Sequence, residues 1–133
     1  MDNKHFSNSL LNWYYKVKRD LPWRGETDFY KVWISEVMLQ QTQVNTVIPY
    51  YKIWIKNFPT IKSVVNATED EVLKIWEGLG YYRRARNLLA TSKILVKEKN
   101  SILPKTLIDI KRLPGIGDYT GNALLGLVYN QPT

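Results

Sequence analysis

Apolar residues recur at spacings of three and four along almost the whole chain. Phe6, Leu10, Trp13, Tyr14 and Val17 predict an amphipathic helix over residues 6–19. Asp20-Leu21-Pro22 ends it, because proline disfavours helical backbone in the residue before it. Two further helices are expected over about 28–42 and 44–57; Pro49 should kink the second or delay its start. Thr68, ahead of Glu69, Asp70 and Glu71, reads as an N-cap with acids where the helix dipole favours them. Thr68 and Glu71 also have capping-box spacing. Val72, Leu73, Ile75, Trp76 and Leu79 are its expected buried face, and Gly78 and Gly80 bracket its end.

A longer helix over about 82–99 should bury Ala85, Leu88, Leu89, Ser92 and Leu95. A short one near 106–112 leads into Leu113-Pro114-Gly115-Ile116-Gly117. Thr120, Ala123, Leu124, Leu127 and Val128 predict the inward face of a last helix. Strand-like alternation bounded by turn residues is absent from the sequence, so the expected fold class is all-α.

Composition narrows the partners. The 133 residues include no Cys and one His, which excludes a disulfide framework, thiolate zinc sites and cysteine-held iron–sulfur clusters within them. No metal ligand set is therefore expected among these residues. Nineteen Lys and Arg against twelve Asp and Glu give a net charge of +7, which favours an anionic partner. No apolar run suits a signal peptide or a membrane span, so a cytoplasmic protein with no membrane partner is expected.

Three clusters look chemical. From Val32 to Tyr51 the only charged residue is Glu36, with Val32, Trp33, Leu39 and Gln40 as its helical neighbours. Such a carboxylate must be paired, protonated or used, and desolvation would raise its pKa toward that of a general acid. A buried Glu satisfied by a backbone amide or a distant Arg is the plainer alternative. Gln40-Gln41-Thr42-Gln43 follows, amides that either cap a helix end or read base edges.

Leu113-Pro114-Gly115-Ile116-Gly117, between two short helices, reads as a helix-hairpin-helix whose amides face a phosphodiester. Gly78-Leu79-Gly80-Tyr81-Tyr82-Arg83-Arg84-Ala85-Arg86 sets aromatics beside arginines, an arrangement suited to wedging a base stack while neutralising phosphates. Tyr82 and Ala85 fit the buried stripe and leave Tyr81 free; the arginines could equally form a solvated face.

Leu21-Pro22-Trp23-Arg24, the block from Tyr30 to Val44 around Glu36, Trp76-Glu77-Gly78-Leu79-Gly80-Tyr81-Tyr82 and Leu113-Pro114-Gly115-Ile116-Gly117 together resemble the adenine DNA glycosylases, in the same order along nearly the whole chain. The resemblance implies a helix-hairpin-helix glycosylase fold, mainly its six-helix domain (25–133, hairpin at 106–129), with residues 1–24 belonging to a terminal-helix domain. It implies removal of adenine mispaired with guanine or 8-oxoguanine in double-stranded DNA. Glu36 would protonate the adenine ring, while Gln41 and Tyr81 enter the stack as the base is flipped out. Arg24 would lie near the adenine pocket, Gly115 and Gly117 would grip the backbone, and Arg84 would join the DNA face. Tyr119 stands where lyase-type relatives carry a Schiff-base lysine, which favours a monofunctional hydrolase.

The family pattern also places an aspartate shortly after the last helix, then four cysteines holding a 4Fe-4S cluster, and a carboxy-terminal domain. None of these is in the sequence, so little or no excision activity is expected of it, and the 6–17 stripe is expected to lack its usual packing partner. A monomer is the expected state of a complete protein. A non-catalytic helix-hairpin-helix DNA-binding module and a lyase-type glycosylase for oxidised pyrimidines are the alternatives.

Overall fold

The computed structural model describes residues 22, 23, 28–40 and 42–129. The helix expected over 6–19, and all but two residues of the expected terminal-helix region, lie outside them.

Every regular element among the described residues is a helix: α1 Phe29–Leu39, α2 Val44–Asn57, α3 Ile61–Val65, α4 Glu69–Trp76, α5 Tyr82–Glu98, α6 Leu107–Ile110 and α7 Asp118–Tyr129. Each start has a local cause. The Asp28 carboxylate accepts from the Tyr30 amide at 3.0 Å, and Thr106 caps α6 by accepting from the Asp109 amide at 3.2 Å. Thr68 and Glu71 form the expected reciprocal box.

Helix α3 was not expected: five residues are too few for a periodic signal. Its box closes with Ser63 on Thr60 in place of the usual Glu or Gln. Pro49 lies inside α2, which nonetheless starts at Val44 and runs unbroken. The amide that proline lacks would have met the carbonyl of exposed Asn45, which water can reach.

Helix α5 is packed by α3 and α4, α1 by α2 and α7, and α6 lies on α7. Ala85, Leu88, Leu89, Ser92 and Leu95 of α5 are all buried as expected. Two expected faces are corrected. Tyr82 is 41% exposed rather than buried, because α5 only begins there, at the rim of the core. In α7, Gly121 and Leu125 are buried with Thr120 and Leu124, while Leu127 is 39% exposed. That face has turned to meet α6: a Cβ on Gly121 would fall 2.9 Å from Leu107 and 3.1 Å from Ile110.

Three tryptophans, Trp33, Trp54 and Trp76, are buried at the centre. Trp54 meets Phe58 and Trp76 edge-on, with ring centroids 4.9 and 5.7 Å away. Its indole N–H donates to the Tyr30 hydroxyl at 2.9 Å, which donates onward to the Phe58 carbonyl at 2.6 Å. Burial holds the Tyr30 hydroxyl well above the usual phenol range, so it remains a donor. Tyr30→Phe should therefore strand a donor and an acceptor, at a cost of about 2–4 kcal/mol in urea denaturation. A loss within experimental error of zero would show that the chain of hydrogen bonds does not matter to stability.

Candidate functional site

Glu36 sits on α1 with Trp33, Val37, Tyr30 and Ile34 turned into the core around it. Of the nine described carboxylates it alone is not solvent-exposed. It has no hydrogen bond or ion pair with any described residue, and desolvation raises its pKa above the ordinary 4.5. The alternative of a Glu satisfied by a backbone amide or an arginine finds no support among those residues. A carboxyl in this state keeps its proton to higher pH than a solvated one and can donate it.

Four residues on, one helical turn along the same face, the Gln40 side-chain amide donates to the Thr120 hydroxyl of α7 at 3.4 Å. Gln40 also caps α1, whose last residue, Leu39, lies three residues before the expected boundary. The end of the acid-bearing helix is thus tied to the hairpin.

The hairpin is seated on α5. The Thr91 hydroxyl, fully buried, donates to the Pro114 carbonyl at 2.7 Å. Gly115, at φ +80°, lies against Asn87 one turn earlier, where a Cβ would come within 2.9 Å of the Asn87 Cβ. Only glycine meets both requirements there. Gly117 differs: a Cβ on it would meet nothing within 4 Å, so its space opens outward. The Asn87 contact and the positive φ hold Gly115 in place, while Gly117 has open space where a side chain would stand; both glycines are exposed.

The first backbone bond of α7 runs from the Gly121 amide to the Gly117 carbonyl at 2.9 Å. The amides of Gly117, Asp118 and Tyr119 have no backbone acceptor among the described residues and stand at the exposed start of α7. Asp118 would oppose an anion, but Lys111 Nζ pairs with it at 2.5 Å. Tyr119, 78% exposed, stands beside them.

The wedge region divides the arginines three ways. Arg83 is exposed and makes no ion pair with a described residue, whereas Arg86 pairs with Glu69 at 3.2 Å. Arg84, expected on the DNA face, is turned inward. Its Nη1 donates to the carbonyls of Val37 at 2.8 Å, Met38 at 3.2 Å and also Gln40, and its Nη2 to the Thr42 hydroxyl at 3.3 Å. These carbonyls lie at the C-terminal end of α1, where the helix runs out of backbone donors; that of Val37 also accepts from the Gln40 amide at 3.3 Å. With Trp33, Asn87 and Gly115, Arg84 lines a cavity of about 30 Å³ under the hairpin.

Tyr81 is 61% exposed and held in the left-handed region, φ 51° and ψ 55°. That conformation costs a non-glycine residue roughly 1–2 kcal/mol, and it turns the side chain out at the start of α5. Gln41 and Arg24 lie outside the described residues. Sequence reasoning missed Thr120 and Trp76 as parts of this region; their partners are too distant along the chain for any local pattern to reveal. A separate cleft of about 630 Å³ between α2 and α4, walled by Ile53, Glu71 and Ile75, carries none of these residues.

Residues 34–132 match the family described as HhH-GPD superfamily base excision DNA repair protein. The chain belongs to that superfamily. It is 48% identical over 126 residues to the adenine DNA glycosylase of Buchnera aphidicola subsp. Baizongia pistaciae, covering 94% of this chain and 36% of that protein. The human adenine DNA glycosylase is 44% identical over 137 residues, covering 96% of this chain and 25% of that protein. This HhH-GPD chain thus spans about a third or less of the length of these relatives.

Among solved structures, a thermostable thymine-DNA glycosylase superposes with a TM-score of 0.77 at 25% identity, over 96% of this chain and 59% of that one. An endonuclease III–DNA covalent intermediate shares the fold at a TM-score of 0.71 and 21% identity, over 99% of this chain and 63% of that one. An iron–sulfur cluster finds no fit here: the sequence has no cysteine, and no group of His, Cys, Asp or Glu among the described residues could hold a metal. No helix among them is long and apolar enough to cross a membrane.

Proposed function

We propose that this chain binds double-stranded DNA and acts as the acid-bearing part of a monofunctional glycosylase that removes adenine mispaired with guanine or 8-oxoguanine. The observation that carries the reading is Glu36, a half-buried carboxylate without a partner among the described residues, on a helix tied through Gln40 and Thr120 to an anion-facing hairpin.

The chemistry follows from those placements. The amides of Gly117, Asp118 and Tyr119 donate to the oxygens of a phosphate and fix the register of the strand. Tyr81 and Gln41 fill the stack as adenine leaves it, which is required because the glycosidic bond is out of reach inside a duplex. Glu36 gives its proton to the adenine ring, so the electron pair of the breaking C1′–N9 bond goes to a better leaving group. Water then adds to C1′ and gives up a proton that restores the Glu36 carboxyl, leaving free adenine and an abasic site. Tyr119 has no amine with which to form an imine, which favours hydrolysis over lyase chemistry. The sequence resemblance to adenine DNA glycosylases at 38–48% identity supports the choice of base.

The hairpin and the positive charge would by themselves suffice for a non-catalytic DNA-binding module. Fluorescence anisotropy at one salt concentration separates the two. At least tenfold tighter binding to a duplex holding an adenine–8-oxoguanine mismatch than to the matched duplex is expected. Equal affinity for both would leave only the module.

A further inference from the structure

The mechanism uses Tyr81, at the start of α5, and Glu36, on α1, which lie 45 residues apart in sequence. One side chain joins their supports. The Arg84 guanidinium holds the C-terminal carbonyls of α1 on one side, and on the other lies 5.3 Å from the Tyr81 ring centroid and 5.5 Å from that of Trp76. Trp76 closes the arrangement, its indole N–H donating to the Gly80 carbonyl at 3.0 Å, immediately before Tyr81. The Tyr81 carbonyl in turn accepts from the Arg84 amide at 2.9 Å. Beneath the same turn, Gly78 at φ +96° lies so close to Tyr50 that a Cβ would fall 2.0 Å from its hydroxyl oxygen. A strained conformation persists only where its surroundings over-determine it, and these contacts do so for Tyr81.

We propose that Arg84 is a positioning residue which, through its carbonyl contacts on α1 and its place between Trp76 and Tyr81, fixes the spacing between the wedge and the helix that carries Glu36. The proposal rests on the glycosylase reading for its consequence in DNA, and on the geometry alone for its consequence in the free protein. Inserting Tyr81 into a stack then loads the same guanidinium that sets the end of α1. Arg84 does not face phosphate. Lysine cannot replace it, because one ammonium has neither the planar fork for several carbonyls nor the flat face between two rings.

The test compares wild type with Arg84→Met and Arg84→Lys, at a temperature where circular dichroism shows each folded; should the Met variant fail to fold, the Lys variant carries the test. Duplexes hold 2-aminopurine next to the mismatched adenine, so that unstacking raises fluorescence. Both variants are expected to bind matched duplex within twofold of wild type and with the same salt slope, while the mismatch-dependent fluorescence rise falls at least fivefold. A salt slope reduced by about one, with matched and mismatched DNA weakened equally, would make Arg84 a phosphate contact and overturn the proposal. A lowered melting temperature with the fluorescence rise intact would reduce Arg84 to a stabilising residue and overturn it as well.

If wild type itself shows no mismatch-dependent rise, the glycosylase reading fails, and hydrogen exchange of the Trp76 indole proton in DNA-free protein decides the positioning role. At least tenfold faster exchange in the Lys variant is expected there. Unchanged exchange would overturn it.

Discussion

Glu36→Gln is expected to slow adenine release at least a hundredfold, whatever rate the chain supports, because a positioned general acid contributes about 10²–10⁴-fold. The same substitution is expected to stabilise the fold. Burial holds the Glu36 pKa above 4.5, so the ionised form is the disfavoured one. Below about pH 4.5 the group is protonated whether the chain is folded or not, and no penalty exists. As the pH rises from there through the folded-state pKa, the unfolded chain gives up its proton first, and stability is lost. Gln cannot ionise. Thermal melts should therefore coincide for the two proteins at pH 4 and separate in favour of the variant at pH 7. A variant that melts below wild type at pH 7 would show that the Glu36 carboxylate is satisfied after all, and would remove the reason to read it as an acid.

Trp54→Ala carries the largest expected cost in stability, about 3–5 kcal/mol, the range for emptying a fully buried aromatic site. Three separate losses converge on it. The rings of Phe58 and Trp76 lose their edge contacts, a cavity opens between α2 and α4, and the Tyr30 hydroxyl loses its donor. Against a total stability of about 5–15 kcal/mol this would leave a marginal protein. Urea denaturation with an unchanged m-value reads the loss directly. A loss under about 1 kcal/mol would mean that the site collapses and that the tryptophan cluster does not anchor the fold.

Much of this architecture is legible in the sequence because it is local. Helix α2 has the expected bounds, Val44–Asn57, since a run of periodic apolar residues stops at Phe58-Pro59. The box at Thr68 and Glu71 needs only four residues, and the α5 stripe only one helix. Glu36 stands out for a similar reason: a single charge among twenty residues is visible without knowing what surrounds it.

What stayed hidden depends on contacts across the chain. Arg84 looked like its neighbours Arg83 and Arg86, and nothing nearby announces that its acceptors are Val37, Met38, Gln40 and Thr42. Those same contacts account for the early end of α1. The inward face of α7 moved toward Gly121 because α6 approaches closely there, a fact of packing rather than of periodicity. Gly115 and Gly117 read alike in sequence, yet one is held against Asn87 and the other opens outward. The pattern of residues marked the candidate site; tertiary packing set which side chains within it face the core.

The most direct test is a single-turnover reaction on a duplex carrying one adenine–8-oxoguanine mismatch, run with wild type and Glu36→Gln, each with and without borohydride. Little release is expected even with wild type and at least a hundredfold less with the variant, with an intact abasic strand wherever adenine is lost and no borohydride-trapped complex in either. Release that persists in Glu36→Gln, or a protein–DNA cross-link trapped by borohydride, would contradict the account.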